Sequence, residues 1–465
     1  MCATDNRLIN KLILALLVAL LLPAAAAAQT SSVNAFSPYT MYGIGEMNTP
    51  GTLPMRSMGG VGVALRRVGD INLLNPASYS VSPQKSFLFD FGVEGQNYYN
   101  AQKVEGVQKK SAHNSLNFRD IALQLPITRK LGVGFSLTPY SSVGYRMHYD
   151  HPYDDNDPVW GNVGRVQYDY QGEGDVTEVK LGLGWEVFKN FSVGVALQYY
   201  WGDSDRDVTS TTSAISGAAD ATYTAIIGND NYSVSRFKGQ LGVQWVPLST
   251  QKRVLTVGAT YDFGGDLSPR VRSSITMDDV TSTVVRSDTT SLKLVLPHQV
   301  AFGLFYQTSR WALGADYVYQ DWGGRNSGTV RTGVSGTGAN NSYEVAYTNT
   351  HTIKLGAELT PSRYDVRHFL NRCSYRAGFR YGSFNQTFNG HALGEWAVTA
   401  GVGVPVQFLA VSGINVGFEY GRRGYNLAPS LGLVRQQYFK FALGFTLFGA
   451  GGENKDYWFV RPKYD

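Results

Sequence analysis

Apolar and polar residues alternate along most of this chain. Leu131, Val133, Phe135 and Leu137 are separated by Gly or Ser, and the same period of two recurs at Leu181–Val187, Val193–Tyr199, Leu241–Trp245, Leu255–Phe263 and Val300–Tyr306. It continues at Trp311–Tyr319, Ile353–Leu359, Ala377–Tyr381, Val398–Val404, Ile414–Tyr420 and Phe439–Leu447, with weaker runs near 85–95 and 114–127. A repeat of two places one side chain in two on the same face of a strand, so the pattern predicts about fourteen half-apolar strands. The opposite face carries Gly182, Lys238, Gln240, Asp262, Asp316, Lys354, Glu358, Arg376 and Arg380.

Alternation alone also fits a water-soluble sandwich. The links decide between the two. Short connections at 127–131, 188–191, 247–253, 307–310 and 405–413 take turns with long polar ones at 96–113, 146–175, 202–233, 265–291, 322–342, 383–394 and 422–436; a moderate link at 360–372 is the exception. Tight turns on one side and long loops on the other are the mark of an outer-membrane barrel. An unpaired amide in hydrocarbon costs several kcal/mol, so such a sheet must close. The expected fold is therefore all-β: a transmembrane antiparallel barrel of about fourteen strands over residues 85–448, in contact with outer-membrane lipid and lipopolysaccharide. Trp185, Trp245, Trp311, Trp322 and Trp396 lie at segment ends, where interfacial girdles form.

The N-terminus is a different kind of segment. Arg7 and Lys11 precede eleven apolar residues, Leu12–Leu22, then Pro23 and an alanine run in which Ala26 and Ala28 fit a cleavage site. Eleven residues fall short of the ~20 that span a bilayer as a helix, so 1–28 is expected to be a signal peptide removed on export. Composition adds exclusions. Charged residues make up 17% of the 465, below the ~25% of average soluble domains, and the formal net charge is only +5. That excess is too small and scattered to imply nucleic acid. Of two cysteines, Cys2 leaves with the signal, so Cys373 has no intramolecular partner.

Before the first strand stand Arg56-Ser-Met-Gly59-Gly60-Val-Gly62-Val-Ala64 and then Asp70-Ile-Asn-Leu-Leu-Asn75-Pro76-Ala77-Ser78. A Gly-rich turn, an acidic residue and Asn-Pro-Ala ahead of a fourteen-strand barrel resemble the FadL family of outer-membrane transporters of long-chain fatty acids. Leu296-Pro297-His298 and the hairpin to Asp316 agree. The opening Ser37-Pro38-Tyr39 to Gly45 and the closing Trp458-Phe459 to Asp465 resemble Bacteroidota members of that superfamily. The resemblance implies that residues 29–84 form a plug inside the barrel, with Gly59, Gly60, Gly62, Asp70, Asn75, Pro76 and Ala77 as its motif. Residues 449–465 are then a periplasmic tail. It also implies that hydrophobic ligands enter from the loop side and leave sideways where the third strand kinks. Pro139, followed by Gly144, is the candidate for that lateral gate, because proline removes a ladder donor; equally, the strand simply ends before Pro139. Arg376 and Arg380, two apart, either grip a ligand carboxylate or pair with acids such as Asp70, Glu358 or Glu419.

Signals for chemistry fail inspection. Gly60-Val-Gly62 lacks the strand and spacing of a dinucleotide fingerprint, and Gly333-Val-Ser335-Gly336 misses a nucleophile elbow by one glycine. Asp150, Asp154, Asp155 and Asp157, near His148 and His151, offer hard oxygen ligands for Ca²⁺, but read more simply as a solvated loop. No enzyme, cofactor or metal is expected. Two roles remain: admission of a hydrophobic small molecule, or, as for the PorV-type shuttle of type IX secretion and accessory subunits of barrel assembly, a non-transporting subunit bound to other outer-membrane proteins.

Overall fold

The computed structural model describes residues 36–82, 86–104, 107–151, 165–213, 224–278, 283–291, 294–326, 329–330, 345–365, 367–406, 411–427 and 433–448. The signal segment 1–28, the tail 449–465, the Ser335 loop and Asp154, Asp155 and Asp157 lie outside them.

Fourteen long strands make the wall: β1 Leu88–Val104, β2 Val107–Pro126, β3 Leu131–His151, β4 Arg165–Phe188, β5 Phe191–Ser213, β6 Ile226–Ser249 and β7 Arg253–Asp262, followed by β8 Gln299–Thr308, β9 Trp311–Gln320, β10 Thr350–Leu359, β11 Ser374–Phe388, β12 His391–Val406, β13 Val411–Arg423 and β14 Arg435–Phe448. Each is antiparallel to the next, and β14 returns to β1 from Leu88↔Phe448 to Ala101↔Arg435. The sheet is a closed ring. Apolar residues at alternate positions face outward: Leu181 is 51% exposed, Leu197 53% and Phe302 57%. A soluble fold would bury such a belt; here hydrocarbon covers it.

Most links that read as long polar loops are partly wall. A strand needs only ~9–11 residues to cross the bilayer, yet β4 has 24, β5 23 and β6 24. Positions 96–113 are almost entirely the β1–β2 hairpin, and 265–291 includes a second hairpin, Arg270–Met277 with Val284–Ser291, which extends the ladder of β6. Beyond the membrane both faces of a strand are polar, so the apolar contrast vanishes while the hydrogen bonds continue. Polar cross-strand pairs such as Asn229 Nδ2–Asp207 Oδ1 at 2.6 Å and Asn231 Nδ2–Asp205 Oδ1 at 2.8 Å hold these extensions.

One tryptophan is misplaced by the girdle expectation. Trp185, Trp245 and Trp311 are about half exposed at strand ends, whereas Trp322 is 1% exposed. It opens a four-residue helical turn after β9, stacks on Tyr347 and donates Nε1–H to Gln320 Oε1 at 2.9 Å. A residue past the strand end is no longer bound by the strand's alternation.

Candidate functional site

The ring's interior is where the sequence concentrates its unusual residues. Residues 36–82 lie against the inner face of the wall, and their stretch 53–82 touches all fourteen strands. Twelve strands, β3 to β14, present a glycine there. A Cβ on Gly194 would fall 2.3 Å from Ala77 N, one on Gly258 2.4 Å from Val63 O, and one on Gly378 2.1 Å from Gly59 N. The other two strands use polar contacts: Arg56 is ion-paired with Glu94 of β1, and Gln124 of β2 donates to Ser82 Oγ at 2.8 Å. On seven strands, β3, β4, β5, β7, β8, β10 and β11, the wall glycine meets the segment's backbone; on β6, β9, β12, β13 and β14 it meets side chains of Asn75, Pro76, Val61, Ser57 and Leu53.

The Gly-rich motif is built for this approach. Gly59 sits at φ +73° between the carbonyls of Leu355 and Phe379 and donates to Thr399 Oγ1 at 2.9 Å. Any side chain is excluded by both its conformation and its neighbours. The N–H groups of Gly62 and Val63 donate to Asp316 Oδ2 at 2.7 and 3.0 Å. Asn75 caps the short turn Pro76–Ser80: its Oδ1 accepts from Ala77 N, and its Nδ2 donates to Val63 O at 2.8 Å and to Val243 O at 3.1 Å. Asn72, which the motif reading passed over, donates to Gly62 O and Leu65 O and accepts from Leu74 N.

Asp70 accepts from Arg67 Nε at 2.5 Å. The same guanidinium reaches Glu358 Oε1 at 2.5 Å, and Arg376 Nε takes Glu358 Oε2 at 2.8 Å. Arg376 is thus committed to Glu358 and to Asn415 Oδ1. Arg380 binds Glu419 at 2.7 Å and Glu395 at 3.5 Å. Of the two alternatives for these arginines, the structure displays pairing with wall acids. Sequence reading missed the other half of the network, where Arg423 grips Glu46 through both terminal nitrogens at 2.8 and 2.9 Å and Glu395 at 2.9 Å. Glu46 and Arg423 are 377 positions apart, and no local pattern announces them.

The third strand is continuous through Pro139. Its ladder with β4 runs from Leu131↔Trp185 to His151↔Val166, with a register shift between Pro139 and Ser141. The alternative of a strand ending before Pro139 therefore fails; the ladder skips Tyr140 and goes on. On its other side the β2–β3 ladder covers six residue pairs only, Ile121↔Leu137 to Pro126↔Gly132. Beyond it, β3 pairs with residues of the inner segment: Met47↔Ser141, Glu46↔Ser142, and Ser37 N–H to Gly144 O at 2.8 Å. Gly144 N–H donates to Thr40 Oγ1 at 3.1 Å.

Between the inner segment and the wall is a cavity of about 240 Å³. Its lining reaches Arg119 of β2 and Pro139 of β3, on either side of the short ladder. The lining is mixed, with Leu73, Leu74 and Val63 beside Lys180, Lys238, Lys354, Glu178 and Asp262. Asp150 is held by Arg165 at 2.7 Å and by His148 at 2.9 Å, and no metal-binding group of acids, histidines or cysteine occurs among the described residues.

A family model, BamG, matches residues 8–465. The chain belongs to the BamG family. Among solved structures, the chain is similar to FadL-type barrels. It covers 99% of a Pseudomonas aeruginosa FadL homologue with 87% of its own length, at 14% identity and a TM-score of 0.58. The P. putida toluene transporter TodX gives 15% identity, 86% and 99% coverage and a TM-score of 0.54, and the Ralstonia pickettii toluene transporter TbuX 14%, 86% and 98%, and 0.51. At these identities the likeness is one of fold. No curated protein matches this sequence. It is an outer-membrane β-barrel with the FadL-like fold.

Proposed function

We propose that this barrel is a non-transporting accessory subunit of an outer-membrane protein-assembly machine, with residues 36–82 acting as a permanent plug. The observation that carries this reading is the glycine-lined seat. A plug that shifts to admit a solute needs room around it, whereas here glycines on twelve strands close on the segment to within a methyl's width, seven of those strands against its backbone. Membership of the BamG family, whose name points to barrel assembly, supports it. So does the commitment of Arg376 and Arg380 to carboxylates, which leaves neither as a ready clamp for a fatty-acid head. Extraction in a mild detergent with a C-terminal tag tests the proposal. Other outer-membrane assembly proteins should accompany the barrel at fixed stoichiometry; recovery of the barrel alone overturns it.

A second reading is favoured by one feature, the early end of the β2–β3 ladder beside Pro139. On that reading the barrel passes a hydrophobic compound, as the toluene transporters of this fold are named to do, with Pro139 and Gly144 as the lateral gate.

A further inference from the structure

The links on the short-turn side of the barrel carry one sign of charge. Arg129 and Lys130 stand in the β2–β3 turn, Lys189 in β4–β5, Lys252 and Arg253 in β6–β7, and Arg310 in β8–β9. The longer β10–β11 link adds Arg363 and Arg367. All of these side chains are exposed. Two acids lie beside them, and both are held by other groups. Glu186 accepts from Asn190 N at 3.0 Å and faces Arg66 at 3.6 Å, and Asp365 is held by Asn371 and by the backbone N–H groups of Arg367 and His368. The deeper acids Asp70 and Glu358 are taken by Arg67 and Arg376. The opposite ends of the strands mix both signs, as where Arg165 meets Asp150 at 2.7 Å.

The wall fixes the level of these cations. The first four turns have two to four residues, too few to lift a side chain clear of the strand ends. Leu131 pairs with Trp185, and Glu186 N–H donates to Lys130 O at 2.8 Å. Lys189 lies just before Phe191, the partner of Trp245, and Arg310 directly precedes Trp311. Half-exposed tryptophans at strand ends mark the headgroup level of a bilayer, so the cations sit there too. The same turns present Ile127, Phe188 and Leu248, with Phe188 68% exposed. Apolar and basic side chains together suit the boundary of acyl chains and headgroups, where the stems of lysine and arginine lie in the apolar layer and their heads reach phosphate. Successive turns are two strands apart, about 10 Å, close to one Debye length in ordinary salt, so their charges act as one field. We propose that this rim binds anionic phospholipid headgroups in preference to zwitterionic ones, in the leaflet on the short-turn side, which is periplasmic in outer-membrane barrels. The inference rests on the fold and holds for either role proposed above.

Tryptophan fluorescence of the intact barrel in phosphatidylcholine vesicles tests it, with brominated phosphatidylglycerol as quencher in one arm and brominated phosphatidylcholine in the other. Association is expected to favour phosphatidylglycerol by about threefold or more, and the preference should shrink at 1 M salt, where the Debye length falls to about 3 Å. It should vanish in Arg129→Gln/Lys130→Gln/Lys252→Gln/Arg253→Gln, with heat-modifiable gel migration retained as the check on folding. If that variant does not fold, Lys252→Gln/Arg253→Gln is measured, with weakening again required. Lys109→Gln/Lys110→Gln, at the far tip of the β1–β2 hairpin, should leave the preference unchanged. Equal association of the two lipids, a preference that survives the turn substitutions, or one lost as fully on substituting Lys109 and Lys110 overturns the proposal. Equal association together with salt-sensitive retention of an acidic protein overturns it too, and gives the rim to a protein partner.

Discussion

Glu358 shows what a single inward residue does in this barrel. It is 3% exposed and lies between two guanidinium groups, Arg67 from the inner segment and Arg376 from β11. Removing it leaves buried Arg376 without a carboxylate and Arg67 with Asp70 alone, and breaking a buried pair from one side typically costs about 3–5 kcal/mol. Glu358→Ala is therefore expected to lose about that much in urea unfolding, and to loosen the inner segment from the wall. Asp288→Ala supplies the contrast: its partner Arg286 is 3.8 Å away and both are more than half exposed, a geometry worth about 0–1 kcal/mol. Asp365, in the link between β10 and β11, gives a pH dependence. Asn371 Nδ2 donates to it at 2.6 Å, and the N–H groups of His368 and Arg367 at 3.0 and 2.8 Å, holding its carboxyl well below the usual range. A carboxyl depressed on folding stabilises at pH values above its unfolded pKa of ~3.9 and ceases to as pH falls through the folded value. Asp365→Asn should abolish the part of the acid sensitivity that wild type shows below about pH 4, while the two unfold alike once Asp365 is protonated.

Each strand carries two messages, and the sequence makes only one easy to read. Outward alternation is imposed by hydrocarbon, a uniform solvent on one side, so every strand repeats the same rule. The inner face answers to something particular, a folded segment whose contacts lie up to 400 positions away in the chain, as with Phe36 and Gln436. Glycines 182, 194, 242 and 356 thus read as spacers between apolar residues, although glycine in a strand costs about 0.5–1 kcal/mol against alanine. Their recurrence, at 52 glycines in 465 residues, was visible; the object they make room for was not. Trp322 and the strand extensions escaped for the related reason that, off the membrane, the one-sided solvent is gone. The glycine seat is open to test. Gly378→Val puts carbon 2.1 Å from Gly59 N and 2.2 Å from Met58 C, both backbone, and should cost at least the ~1–3 kcal/mol of ordinary overpacking. The segment would be displaced, exposing Arg56, Arg66 and Arg67 to trypsin. Gly228→Val, whose nearest neighbour is the Val208 carbonyl at 3.9 Å, should leave the tryptic pattern unchanged.

At the scale of the whole molecule, the question is whether a path for an apolar solute exists. Two features favour one: the cavity touches both sides of the six-pair β2–β3 ladder, and the wall is irregular at Pro139. Two oppose it. The cavity is studded with lysine, arginine and carboxylate side chains, which an entering hydrocarbon would have to desolvate without offering hydrogen bonds in return. The edge of β3 at Ser141, Ser142 and Gly144 is also taken up by residues 37–47, so opening the wall there breaks backbone hydrogen bonds, each worth about 0.5–1.5 kcal/mol net. The opposing terms are the larger. Proteoliposomes containing the barrel should accordingly take up a fluorescent fatty acid or toluene no faster than empty vesicles, and Pro139→Thr/Gly144→Thr should leave both this rate and co-purification with assembly partners unchanged. Uptake above the empty-vesicle rate that disappears in the double variant would establish the lateral path and reject the non-transporting role. Uptake that survives the double variant would reject that role too, and would move the route away from β3.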